Sequence, residues 1–182
     1  MNLYQKTEQF MMNTFHKAGN DKGIEHHQRT VYWIKQLKPD ASEILLTAAI
    51  MHDIERAIYG DWKAGSIDPK KIKKHQDLSA LEAGKFLEKE GIDKEKINKI
   101  KNLIAHHQEK NDGDQGILCD ADAMTYLENK ALEHARNYKK KGKTKEEIKD
   151  KIEYNFNRIS SSGAVKIAKN WYNKALEELN KN

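Results

Sequence analysis

The chain has 182 residues, 37% of them hydrophobic and 34% charged, with 33 Lys and Arg against 28 Asp and Glu for a net charge of +5. That length suffices for one domain with its own core, and the apolar residues recur through periodic segments, which excludes a disordered chain. The small, interspersed positive excess argues against a nucleic-acid binder, whose basic residues gather on one face, and the single cysteine, Cys119, excludes an internal disulfide and fits a reducing compartment.

The first residues lack the continuous apolar core of a secretory signal, and no stretch approaches the ~20 apolar residues of a membrane span. The expectation is a soluble, cytoplasmic protein with no membrane partner. Strand-like alternation is absent, and helical spacing predicts helices over about 2–18, 24–37, 41–58, 76–90, 94–108, 115–138, 144–159 and 162–180. Gly19 to Gly23 separates the first two, and Pro39 the next two. The third is apolar almost all round, with Ile44, Leu45, Leu46, Ala48, Ala49, Ile50, Met51 and Ile54. A helix with no polar face is buried on all sides, so His52 and Asp53 stand at the inner end of a central helix. The segment 59–74, with Gly60, Gly65 and Pro69, is the longest predicted loop, placed to act as a lid, with Trp62 stacking on a base or packing. A turn over 111–115 and a charged connection over 139–143 complete the reading: an all-α bundle of about eight helices, with neither repeat nor linker.

An imidazole and a carboxylate at the end of so apolar a helix are costly unless something satisfies them. Adjacent helical residues point ~100° apart, so His52 and Asp53 can converge on one site from one turn. Six of the eight histidines fall in this pattern, with His26, His27, His75, His106 and His107 joining His52, and Asp120 and Asp122 follow. Neutral imidazole with carboxylate suits a divalent transition metal such as Mn, Fe, Co, Ni or Zn. His27 shares a stripe with Val31 and Ile34, and His26 one with Thr30, Trp33 and Leu37. Taken singly, each has a plainer reading: a histidine on an apolar face as a core residue, Asp120 as a helix cap. The residues alone leave His26 and His27, and Asp120 and Asp122, as alternatives.

The order of these motifs resembles the HD superfamily of metal-dependent phosphohydrolases. His27-Gln-Arg-Thr-Val31 is similar to that family's first motif, Leu46-Thr-Ala-Ala-Ile-Met-His-Asp-Ile54 to its central one, and Cys119-Asp-Ala-Asp-Ala-Met124 to its closing one. The resemblance favours His27 and Asp122 and implies one HD-type domain over 1–182, with a motif core over 24–128 and a helical extension over 129–182. His75-Gln-Asp-Leu-Ser-Ala80 and the pair His106-His107 resemble the histidines of two-metal subfamilies, in which His75, His106 and His107 would hold a second ion and Asp53 would bridge both. The chain lacks the Gly-Tyr-Pro tripeptide of the cyclic dinucleotide phosphodiesterases, and it has Glu55-Arg56 where many members have Gly-Lys.

The resemblance therefore implies hydrolysis of a phosphomonoester or phosphodiester, of nucleotide type, with one or two divalent ions, Mg included. Asp53 and Arg56 are the expected catalytic residues. Arg56 and Lys74, with Lys70, Lys71 and Lys73 behind them, are the expected substrate contacts, although a run of lysines is usually a solvated face. Nucleic acid is not an expected partner, whereas a second copy of the chain is compatible with the sequence. The competing readings are a diiron oxygenase on the same ligands and a non-catalytic helical module that keeps a metal as a clip.

Overall fold

The structure, a computed structural model, describes residues 1–60 and 66–181. Local capping chemistry sets most helix starts. Asn2 caps α1 (Leu3–Lys17) in a reciprocal arrangement with Gln5, Asn20 caps α2 (Asp21–Leu37), and Ser42 caps α3 (Glu43–Met51). A short α4 (Glu55–Tyr59) follows. Asp68 caps α5 (Pro69–Lys89) and Asp93 caps α6 (Lys94–Ala105). Next come α7 (Gly113–Asn129), α8 (Ala131–Asn137) and a single 3-10 turn over Lys139–Lys141. Thr144 and Glu147 cap α9 (Lys145–Asn157) reciprocally, and α10 (Ser162–Lys181) ends the described chain. The protein is all-α, with no strand among the described residues, and no helix there is long and apolar enough to cross a membrane.

Contacts group the residues into two units, Met1–His107 and Gln108–Asn182. In the first, α3 is the centre, packed against α1, α2, α5 and α6. Its Leu45, Ala48, Ala49, Ile50 and Met51 are fully buried, with Met11, Phe15, Ile34, Leu87, Ile100 and Ile104 around them. Each large apolar side chain so buried contributes roughly 1.5–3 kcal/mol. In the second unit α7 packs against α8, α9 and α10. The small residues Ala164, Ala168 and Ala175 form the buried stripe of α10, and Phe156 stacks on Tyr172 with ring centroids 4.2 Å apart.

Four boundaries differ from expectation. The predicted helix 41–58 breaks at residues 52–54 into α3 and α4. In a regular helix the Asp53 amide would donate to the Ala49 carbonyl. Here His52 Nδ1 donates to that carbonyl at 2.7 Å, and the Asp53 amide turns to His27 Nε2 at 3.3 Å. The next amides close tighter i−3 bonds: Ile54 to Met51, Arg56 to Asp53 and Ala57 to Ile54. Two imidazoles have thus taken over the ends of one helical hydrogen bond.

The other three are simpler. The predicted loop 59–74 is shorter, because the Asp68 carboxylate accepts from the Lys70 and Lys71 amides and Pro69 suits the first helical turn. Lys70, Lys71, Lys73 and Lys74 are therefore helical, and Trp62 and Gly65 lie outside the described residues. The predicted helix 115–138 breaks at Lys130, after the weak helix former Asn129. The predicted helix 94–108 stops at Ala105, which leaves His106 and His107 in the turn beyond it.

Candidate metal centre

The cluster grows from four elements of the first unit. Helix α2 supplies His26 and His27, the break after α3 supplies His52 and Asp53, α5 supplies His75, and the turn after α6 supplies His107. All six side chains are buried. His27 and its helix approach α1 closely: a side chain at Gly23 would collide with the Phe15 ring, which itself lies 4.8 Å from the His27 ring.

Most of these imidazoles are held by their Nδ1 atoms. His27 Nδ1 donates to the Gly23 carbonyl at 2.7 Å, His52 Nδ1 to Ala49 at 2.7 Å, and His107 Nδ1 to Ile104 at 2.8 Å. His75 Nδ1 instead meets the Glu55 carboxylate at 2.6 Å. In the three rings bonded to carbonyls, fixing Nδ1 as the donor leaves Nε2 as the nitrogen with a lone pair when the ring is neutral, the arrangement of metal-bound histidines.

The Nε2 atoms converge on Asp53. Its Oδ1 lies 2.7 Å from His75 Nε2, 3.5 Å from His107 Nε2 and 3.7 Å from His52 Nε2. Although Asp53 Oδ1 and His75 Nε2 are close, neither completes a hydrogen bond of good geometry, and both are buried. Both atoms therefore lack the satisfaction that buried polar atoms normally find. His26 Nε2 and His52 Nε2 are 3.2 Å apart. Two nitrogens each about 2.1 Å from one ion and at right angles would lie ~3.0 Å apart, so this spacing fits a shared ion. Within the first unit the donor atoms form two sets, His26–His52–Asp53 and Asp53–His75–His107, whose members lie within 4.8 Å of one another. The residues present fit a divalent cation, and Asp53 belongs to both sets.

The electrostatics follow from burial and neighbours. Burial pushes the Asp53 carboxyl up, but Arg56, His75 and His52 outweigh it and hold the group well below the usual carboxylate range. Burial alone would lower His75, yet Asp53 and Glu55 raise it to about 9. His27 is held well below its ordinary value by burial and by the neighbouring His52 and His26, so it is neutral.

The remaining sequence-predicted residues fall as follows. His27 presents its Nε2 to the Asp53 amide, whereas its neighbour His26 contributes the ring nitrogen to the His52 set. His106 is half-buried, bonds the Asn102 carbonyl at 2.9 Å, and belongs to neither set. Arg56 Nε donates to Asp53 Oδ2 at 2.6 Å. Lys74 is exposed on α5, one residue before His75. With Pro69, Lys70, Lys73, Leu78 and Leu81 it lines an open groove of about 610 Å³.

In the second unit, α7 carries Asp120 and Asp122, both buried. Asp120 accepts from the Ser160 and Ser161 amides at 2.7 and 3.0 Å, just ahead of α10. It caps that helix rather than the one it sits on. Asp122 Oδ2 accepts from Arg158 Nη2 at 2.5 Å, and Asn155 steadies the guanidinium. Cys119 is fully buried, bonds the Arg158 carbonyl at 3.6 Å, and has its thiol pushed up by burial.

Sequence reasoning gave no role to Glu55 and did not find Arg158. The chain has only four arginines, at positions 29, 56, 136 and 158, among its 33 basic residues. Two of the four, Arg56 and Arg158, pair with buried acids, and this scarcity was the available signal. A search of curated proteins and a search of solved structures each returned no match. A family model does match residues 9–179, and the chain belongs to that family, described as Domain of unknown function (DUF4202).

Proposed function

We propose that this protein is a phosphohydrolase of the HD type, whose buried cluster would hold two divalent cations through donor sets that share Asp53. The observation that carries this reading is the position of Asp53 Oδ1, within 3.7 Å of three imidazole nitrogens. One position would be held by His26, His52 and Asp53, and the other by Asp53, His75 and His107. Divalent ions there would supply Lewis acidity, acidifying a water and offsetting phosphate charge.

The chain's own residues do the rest. The Nδ1 bonds hold the ring nitrogens in place before any ligand arrives, so little reorganisation remains for the reaction. Arg56 fixes the second oxygen of Asp53 and brings a permanent positive charge to the site's edge, suited to a phosphate oxygen. Lys74, next to His75, is the proposed second contact. The substrate is a small phosphorylated compound of the nucleotide class.

The experiment is a hydrolysis assay on nucleotides, phosphomonoesters and phosphodiesters with Mn, Co, Ni or Mg. Metal-dependent phosphate release is expected from the wild type, falling at least a hundredfold in Asp53→Ala by analogy with lost electrostatic groups. Full activity in that variant would contradict the proposal. So would bound iron with oxygen-dependent turnover and no hydrolysis, which would favour an oxygenase.

A further inference from the structure

Glu55 is a buried acid, 2% exposed, with no place in either donor set. Its partner is His75 Nδ1 at 2.6 Å, twenty residues on in the chain. This contact sets His75 apart. His27, His52 and His107 are oriented by carbonyls three or four residues behind them, which no substitution removes. His75 lies inside the continuous helix α5, and its ring is oriented by a side chain from a different helix. One imidazole of the cluster is thus held by a group that mutation can delete.

We propose that Glu55 is a positioning residue that acts through His75 and so sets the affinity of the Asp53–His75–His107 position. This rests on the two-ion reading above. A carboxylate on the far nitrogen of a ligand histidine fixes the ring's tautomer and strengthens the near nitrogen as a donor, and losing such a partner weakens metal binding by about 10- to 100-fold. Glu55 Oε1 stands where that partner is needed, 2.6 Å from His75 Nδ1. His75 belongs to the Asp53–His75–His107 set and not to the His26–His52–Asp53 set. Deleting Glu55 should therefore split the two positions.

The test is Mn²⁺ binding by equilibrium dialysis, with electron paramagnetic resonance to report coupled ion pairs. Wild type, Glu55→Gln, Glu55→Ala, His75→Ala and the Glu55→Ala/His75→Ala double variant are compared, with circular dichroism to confirm folding. Wild type is expected to bind two ions. Glu55→Gln keeps the shape but loses the charge, and should bind the second ion about tenfold more weakly, with the first unchanged. Glu55→Ala should fall further, toward about a hundredfold. The double variant should match His75→Ala. Wild-type affinity for the second ion in Glu55→Gln overturns the proposal, and because that variant is nearly isosteric it decides the matter even if Glu55→Ala does not fold. A double variant weaker than His75→Ala makes Glu55 a direct ligand and also overturns it. A wild type that binds one ion, unaffected by His75→Ala, overturns the two-ion reading itself. That result is distinct from two ions bound with no effect of Glu55.

Discussion

Both units bury acids on a helix with almost no polar face, and they satisfy them differently. On α7, Asp120 takes two backbone amides and Asp122 takes a guanidinium. At the end of α3, Asp53 gives one oxygen to Arg56 and turns the other toward three imidazole nitrogens that do not hydrogen-bond it well. What sets Asp53 apart is a buried carboxylate oxygen facing several imidazole nitrogens whose rings are held from behind.

The largest expected effect is on the Asp122 side. Arg158→Ala leaves Asp122 buried beside no guanidinium, and it should cost about 3–5 kcal/mol of stability in urea denaturation. A loss under about 1 kcal/mol would show that Arg158 is not what makes Asp122 tolerable. Asp120→Ala removes a cap, and should cost about 1–2 kcal/mol and speed hydrogen exchange in the first turn of α10. Unchanged exchange there would take the capping role away from Asp120.

The smallest effect concerns histidines, which divide in the same way. His75 is raised by two carboxylates, whereas His134, bonded to the Tyr126 hydroxyl at 3.2 Å, is lowered to about 4 by burial and by Lys151 and Lys141. Below its ordinary value of 6.5 the unfolded chain takes up a proton on His134 that the folded chain refuses. Stability from this group is thus complete above pH 6.5 and is lost as pH falls toward 4. His134→Gln should flatten that slope by about 1 kcal/mol, allowing for the ring's partial exposure. An unchanged pH profile would mean that His134 titrates normally.

Much of this was legible in the sequence because hydrophobic spacing reports burial. The all-α class and the central position of α3 follow from where apolar residues recur, whereas the roles of His75, His106 and His107 came only from the family resemblance. Spacing does not report competition for backbone groups. Nothing in Ile44 to Ile54 signals that His52 will claim the Ala49 carbonyl, so the break before α4 was invisible. The start of α5 was written in Asp68-Pro69, a capping signal outweighed by the glycines before it. Adjacent residues are the hardest to separate: His26 and His27 sit on neighbouring stripes, and they part only in space, where His27 Nε2 accepts from the Asp53 amide and His26 Nε2 lies 3.2 Å from His52 Nε2. Glu55 could not be given a role because its partner lies twenty residues away on another helix.

The central claim is that cations sit on either side of Asp53. An anomalous difference map from crystals grown with Mn²⁺, recorded near the manganese edge, tests it most directly. The account predicts two peaks, one bounded by His26, His52 and Asp53 and the other by Asp53, His75 and His107. Clear density for those side chains with no peak at Asp53, in protein that binds Mn²⁺ in solution, would contradict it.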